Sequence, residues 1–138
     1  MCIRDRFYSV DSITGMVAGL NPGDNGYLQA ALARSQGEGL LLDSKTLPAF
    51  GGSATFNNLP LDTRERYGVL LLQNGDPAVM FSSFAAANPF GATQMVSLSN
   101  SSNNLVFGIE DLSAVGGYSD SDFNDLIVRV QNVSVALF

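Results

Sequence analysis

Apolar positions along the chain recur in short runs with a period of two, broken by Gly, Pro, Asn and Asp, a pattern that predicts an almost wholly β chain. Residues 7–10 read as a strand, 11–15 (DSITG) as its turn and 16–20 as the returning strand. The NPGDN at 21–25 then breaks the chain. Asp24 is placed as the N-cap of the single helical stretch, from 27 to about 34, where Leu28, Ala31 and Leu32 form a narrow apolar stripe suited to a sheet edge. From 40 onward nearly every signal is β: runs at 40–42, 54–58 and 67–73 (YGVLLLQ), the last ended by the strong turn Asn74-Gly75-Asp76-Pro77. Further strands are expected at 78–82, 93–98, 105–111 and 126–130, with the Ser/Asn-rich 97–104 as an exposed hairpin loop. After Val130 the apolar phase flips to Val133, Val135 and Leu137, which places a bulge near Asn132. The expected fold is an antiparallel β-sandwich, Ig-like or jelly-roll-like, with one short helix near the N-terminus.

Residues 1–6, MCIRDR, match what the mosaic-end adapter of sequencing libraries encodes in one frame, with Arg6 only partly specified. They are read as an artefact without a packed role, which makes 7–138 a single domain truncated on its N-terminal side. Cys2 and the lack of a signal peptide then carry no information. The remaining length suffices for one two-layer core, and 46% hydrophobic residues with 14 Gly indicate a folded chain. Discounting Arg4, Asp5 and Arg6 takes the formal charge from −6 to −7. That acidity argues against nucleic acid and anionic membrane as partners, and no apolar run approaches the ~18 residues of a spanning helix.

Acidity becomes chemistry between Glu110 and Asp125. Five of the 13 acidic residues (Glu110, Asp111, Asp120, Asp122, Asp125) gather there with Asn124, while no Lys or Arg occurs between Arg66 and Arg129 and the chain has no His. Two carboxylates about 4 Å apart repel by ~1 kcal/mol in water and ~4 kcal/mol at a protein surface, so bringing five together calls for a cation. Oxygen-only ligands select a hard ion, and flexible carboxylates with an amide suit Ca²⁺ better than Mg²⁺. Asp120, Asp122 and Asn124 occupy alternate positions as in the opening of an EF-hand loop, yet the sixth position is Asp125 rather than Gly and the twelfth is Gln131 rather than Glu. The competing reading is a polar hairpin loop with solvated acids. Asp11 and Asp24 are accounted for as a turn residue and a cap without a second ion.

Period-two alternation assigns faces. Leu105, Phe107 and Ile109 share theirs with Asp111, and Leu126, Val128 and Val130 share theirs with Asn124 and, in an extended chain, Asp122. Asp111, Asp122 and Asn124 are therefore expected at the rim of the core, with Glu110 and Asp125 facing away, so the ion either reaches both groups or is accompanied by a second ion. On this reading Asp122→Asn weakens calcium binding more than Glu110→Gln.

GIEDL followed by GGYSDSDFNDLIV resembles the FEDL…GGGDxDFNDLVV signature of a bacterial secreted-protein domain of unknown function, number four-one-one-four among such families. FYSVDSITGMVAGLNPGDNGYLQAALAR is similar to that domain's opening, so the resemblance spans 7 to about 130. Tyr118-Ser119 replaces the third Gly of GGGD and lengthens the loop by one residue. The resemblance implies a calcium-associated β-sandwich of large extracellular or cell-surface proteins, often with calcium-binding repeats of the RTX type, and no assigned activity.

Three functions compete. The first is a structural or adhesive calcium-braced module of a larger secreted or surface protein, whose partners are neighbouring domains and a cell-surface glycan or protein. The second is a calcium-dependent carbohydrate-binding module, for which Tyr118 is the only aromatic placed as a platform in a chain without Trp. The third is catalysis by a carboxylate pair, but that chemistry needs two acids in unlike environments, and the absence of His excludes a Ser-His-Asp arrangement. The expectation is a non-enzyme. A loop site filled at micromolar to millimolar calcium points outside the cell.

Overall fold

The computed structural model describes residues 4–38, 41–42, 51–55, 61–62, 64–101, 104–113, 117 and 119–131. Among these the chain is mainly β, with strands β1 (Arg4–Val10), β2 (Leu41–Leu42), β3 (Arg66–Leu72), β4 (Met80–Ser82), β5 (Met95–Ser101), β6 (Asn104–Ile109) and β7 (Leu126–Gln131). The one α-helix, α1, spans Tyr27–Glu38. The strands form two antiparallel sheets, one in the order β2-β1-β3-β4 and one in the order β5-β6-β7.

The sheets meet face to face as a sandwich. Phe7, Val69, Leu71 and Phe81 of the first sheet share a buried cluster with Phe107 and Ile109 of the second, and Leu126, Val128 and Val130 of β7 pack against it. The opposite face of the first sheet is covered too: Tyr8, Val10, Leu70, Leu72 and Met80 bury against Val17, Tyr27 and Ala31. This explains why β3 reads as an unbroken apolar run, since a strand covered on both faces has no polar phase. Tyr8 lies across β3 because its partner there is Gly68; a Cβ at Gly68 would stand 2.5 Å from the Tyr8 ring. The Tyr8 hydroxyl bonds to those of Ser82 (2.8 Å) and Tyr27 (3.2 Å), and Tyr27 donates to the Gly15 carbonyl at 2.7 Å.

Several local expectations are corrected by long-range contacts. α1 lies on the face of the sheet rather than over its edge, and it runs past Ser35-Gln36-Gly37 to Glu38. Its last turn is tied to β1, where the Glu38 carboxylate accepts from the amide (3.0 Å) and hydroxyl of Ser9. Asp24 does not cap α1 with its side chain; the carboxylate accepts from Asn21 N (2.7 Å), and only its carbonyl receives Tyr27 N. The expected strand 16–20 is a tight turn in which Val17 and Leu20 exchange backbone bonds around Ala18 and Gly19, both at positive φ. Asp11 holds that loop, accepting from Ala18 N (2.9 Å) and pairing with Arg34 (2.6 Å). Within the Ser/Asn-rich 97–104, residues 97–101 and Asn104 are strand rather than loop, because β5 continues to Ser101 and β6 begins at Asn104; residues 102–103 lie outside the described residues. Ala54 and Thr55 lie outside any strand, and the rest of the 54–58 run, Leu40 and the bulge near Asn132 lie outside the described residues. No described helix is long and apolar enough to cross a membrane.

Residues 4–6 do take a packed role, contrary to expectation: they extend β1 along β3, with Asp5 opposite Leu71 and Arg6 opposite Leu70. Asp5 is 1% exposed and neither carboxylate oxygen has a hydrogen-bond partner among the described residues. Burial pushes its carboxyl up from 3.8 to about 7. An acid raised in the folded state costs nothing below its unfolded pKa and destabilises progressively as pH rises through the folded one. Asp5→Val is therefore expected to stabilise the protein, by a few kcal/mol at pH 8 and by less than half as much at pH 5. Thermal melts of both proteins at the two pH values check this; an equal gain at both would show that charge burial is not the cause.

Candidate metal centre

The acidic stretch reaches one end of the second sheet because β6 stops early. Ile109 is the last strand residue and is fully buried, so Glu110 and Asp111 are the first residues beyond the strand. Two glutamines hold them. Glu110 N donates to the Gln94 carbonyl (2.9 Å), while the buried Gln94 side-chain amide donates to the carbonyls of Glu110 (2.9 Å) and Leu112 (2.8 Å). Gln73, next after β3, donates to the Asp111 carbonyl at 2.8 Å. With their backbone clamped from both sheets, Glu110 and Asp111 are carried inside; Glu110 is 1% exposed and its Oε2 has no hydrogen-bond partner among the described residues.

The second acidic segment coils instead of extending. Ser121 and Phe123 sit in the left-handed region, at φ 57° and 54°. Asp122 N donates to Asp120 Oδ1 (3.4 Å), Asn124 N to Asp122 Oδ1 (3.1 Å), and the Asn124 side chain to Asp122 Oδ2 (2.5 Å). The coil lies against the outer face of β6, where Gly108 admits it; a Cβ at Gly108 would stand 2.2 Å from the Phe123 carbonyl oxygen. Asp125 then accepts from Asp111 N at 3.0 Å, joining the two segments.

Two overlapping carboxylate triads result. Glu110, Asp120 and Asp122 each offer an oxygen within 4.8 Å of the others, and so do Glu110, Asp111 and Asp125. All five predicted acids thus gather at one end of the sandwich, with Asn124 bound to Asp122. Their expected partition is overturned: Glu110, assigned outward, is the member common to both triads, and Asp111 groups with Asp125 rather than with Asp122. Alternation fails as a guide because neither Glu110 nor Asp122 belongs to a strand.

The electrostatics follow from this crowding. Burial raises the Glu110 carboxyl above its ordinary value, and the charge of Asp125 adds to the effect. Burial, followed by the same neighbour, raises Asp111 to about 6. Among the described residues the two ion pairs are Arg34–Asp11 and Arg64–Asp62, and neither reaches the cluster. A hard cation fits this donor set: all the ligand atoms are oxygen, and the buried Glu110 Oε2 has no donor among the described residues to satisfy it. Sequence reasoning missed Gln73, Gln94 and Gly108. Glycine between Phe107 and Ile109 in an apolar strand was a readable sign of close approach, whereas the glutamines carried no signal beyond their places at strand ends. Tyr118 lies outside the described residues.

A family model for a domain of unknown function, DUF4114, matches residues 61–132, just over half of the chain. The chain belongs to this family. The DUF4114 match covers β3 to β7, both glutamines and all the clustered acids; the similarity seen in the N-terminal half lies outside it. No curated protein and no solved structure matches the chain.

Two outcomes follow from the site's geometry. In chelator, Asp111→Asn is expected to melt several degrees above the parent at pH 7.5 and together with it at pH 4. The Asp111 folded pKa is raised, so its penalty grows only as pH climbs from the unfolded value through about 6. Gly108→Ala is expected to destabilise by ~1–3 kcal/mol in urea denaturation, because its new methyl meets backbone rather than a movable side chain. Amide chemical shifts of 119–125 should move with it, and unchanged shifts would mean that the coil does not rest on β6.

Proposed function

We propose that this domain is a calcium-binding, non-catalytic structural or adhesive module of a larger bacterial extracellular or cell-surface protein. The observation that carries the reading is Glu110: a carboxylate removed from water at the common vertex of two carboxylate triads, with one oxygen that has no donor among the described residues. Ionised carboxylates are not kept in such a place without compensation. A calcium ion supplies it, stiffening the end of the sandwich where β6 and β7 leave the core. Asp111, Asp120, Asp122 and Asp125 are the further ligands, with Asn124 setting the orientation of Asp122. Crowding supports a metal nest over a glycosidase pair, since each triad brings three like acids within 4.8 Å of one another, whereas that chemistry uses two acids in unlike environments. The extracellular assignment rests on calcium supply: coil ligands such as Asp120 and Asp122 are exposed and suit the weak affinities that only extracellular calcium saturates.

Millimolar Ca²⁺ is expected to raise the melting temperature by several degrees, since a hundredfold excess over Kd contributes ~2.7 kcal/mol. Glu110→Gln should remove most of that rise and Asp122→Asn less of it, because only Glu110 belongs to both triads. Paired melts in Ca²⁺ and EDTA decide the matter; superimposable curves for the parent protein would overturn the calcium reading.

A further inference from the structure

We propose that the site holds two cations, not one, bridged by the Glu110 carboxylate; this deepens the calcium reading above and rests on it. Oxygens held about 2.3–2.6 Å from a single calcium lie at most ~5 Å from each other, so one ion can serve one triad. The five carboxylates fall into two sets of that size and not into one, and Glu110 is the member common to both. The shared member is also the most deeply buried of the five. Its carboxylate is 1% exposed and Oε2 has no partner among the described residues, so it has an oxygen to turn to a second ion while the first is held.

Charge leads to the same count. A single divalent cation would leave three of the five negative charges uncompensated in a cluster that no described arginine pairs with; two cations leave one. The two positions differ in character. The inner one, with Asp111 buried and Asp125 held by the Asp111 amide, is preorganised by the glutamine clamps on the backbone. The outer one takes Asp120 and Asp122 from the exposed coil and is the weaker of the two.

Calorimetric titration of the calcium-stripped full chain with CaCl₂ tests the proposal. The expected result is two equivalents of Ca²⁺, with Asp122→Asn losing the weaker, Asp111→Asn losing the tighter, and Glu110→Gln weakening both by about tenfold or more. One equivalent in the parent, or loss of the same class in both aspartate variants, overturns the bridged pair while leaving the single-ion reading intact. No binding and no thermal shift would sink both. Native mass spectrometry of the parent counts the bound ions directly and keeps the test decisive where a variant fails to fold.

Discussion

Negative charge that the fold buries without an ion-pair partner among the described residues is the constraint on which this end of the molecule depends. The sandwich core ends at Ile109, and the next two residues are acids that the backbone carries inward rather than out to solvent. A strand turning outward after Ile109 would avoid the cost. It cannot do so here, because Gln94 and Gln73 bind the carbonyls of residues 110–112 from the two sheets. Two neutral amides thereby decide where two carboxylates go.

The rest of the architecture serves to make that clamp rigid. Gln73 follows directly on β3, the strand buried between the helix layer and the second sheet, and Gln94 immediately precedes β5. The helix layer lies well away from the acids in sequence, yet it fixes the strand from which Gln73 projects. The tyrosine and serine hydroxyls between α1 and the first sheet satisfy one another. On the second sheet the missing side chain of Gly108 matters as much as any that is present, since it lets the coil of 119–125 bring Asp120 and Asp122 back toward Glu110.

Most strands of both sheets were legible because each alternates or is wholly apolar over its buried length, and the acid cluster was legible because no Lys or Arg lies between Arg66 and Arg129 to offset it. Errors arose wherever a local signal met a distant partner. The Ser-Gln-Gly stop of the helix gave way to the bond between Glu38 and Ser9, and the Ser/Asn run read as a loop became strand because its backbone pairs across β5 and β6. Asp24 had the position of a cap but spent its carboxylate on the turn that precedes the helix.

Composition and spacing alone therefore determined the class of fold, the identity of the acids and the all-oxygen character of their donor set, since these depend on residue type and on period-two order within a strand. Which acid stands at the centre was decided only in three dimensions. Alternation assigns faces only while the chain remains a strand, and both acidic segments have left theirs: one is held by glutamines from elsewhere in the chain, the other is coiled through two left-handed residues over a glycine. Glu110 stands at the common vertex of two triads rather than apart from the cluster for that reason, because the forces that place it come from residues far from it in sequence.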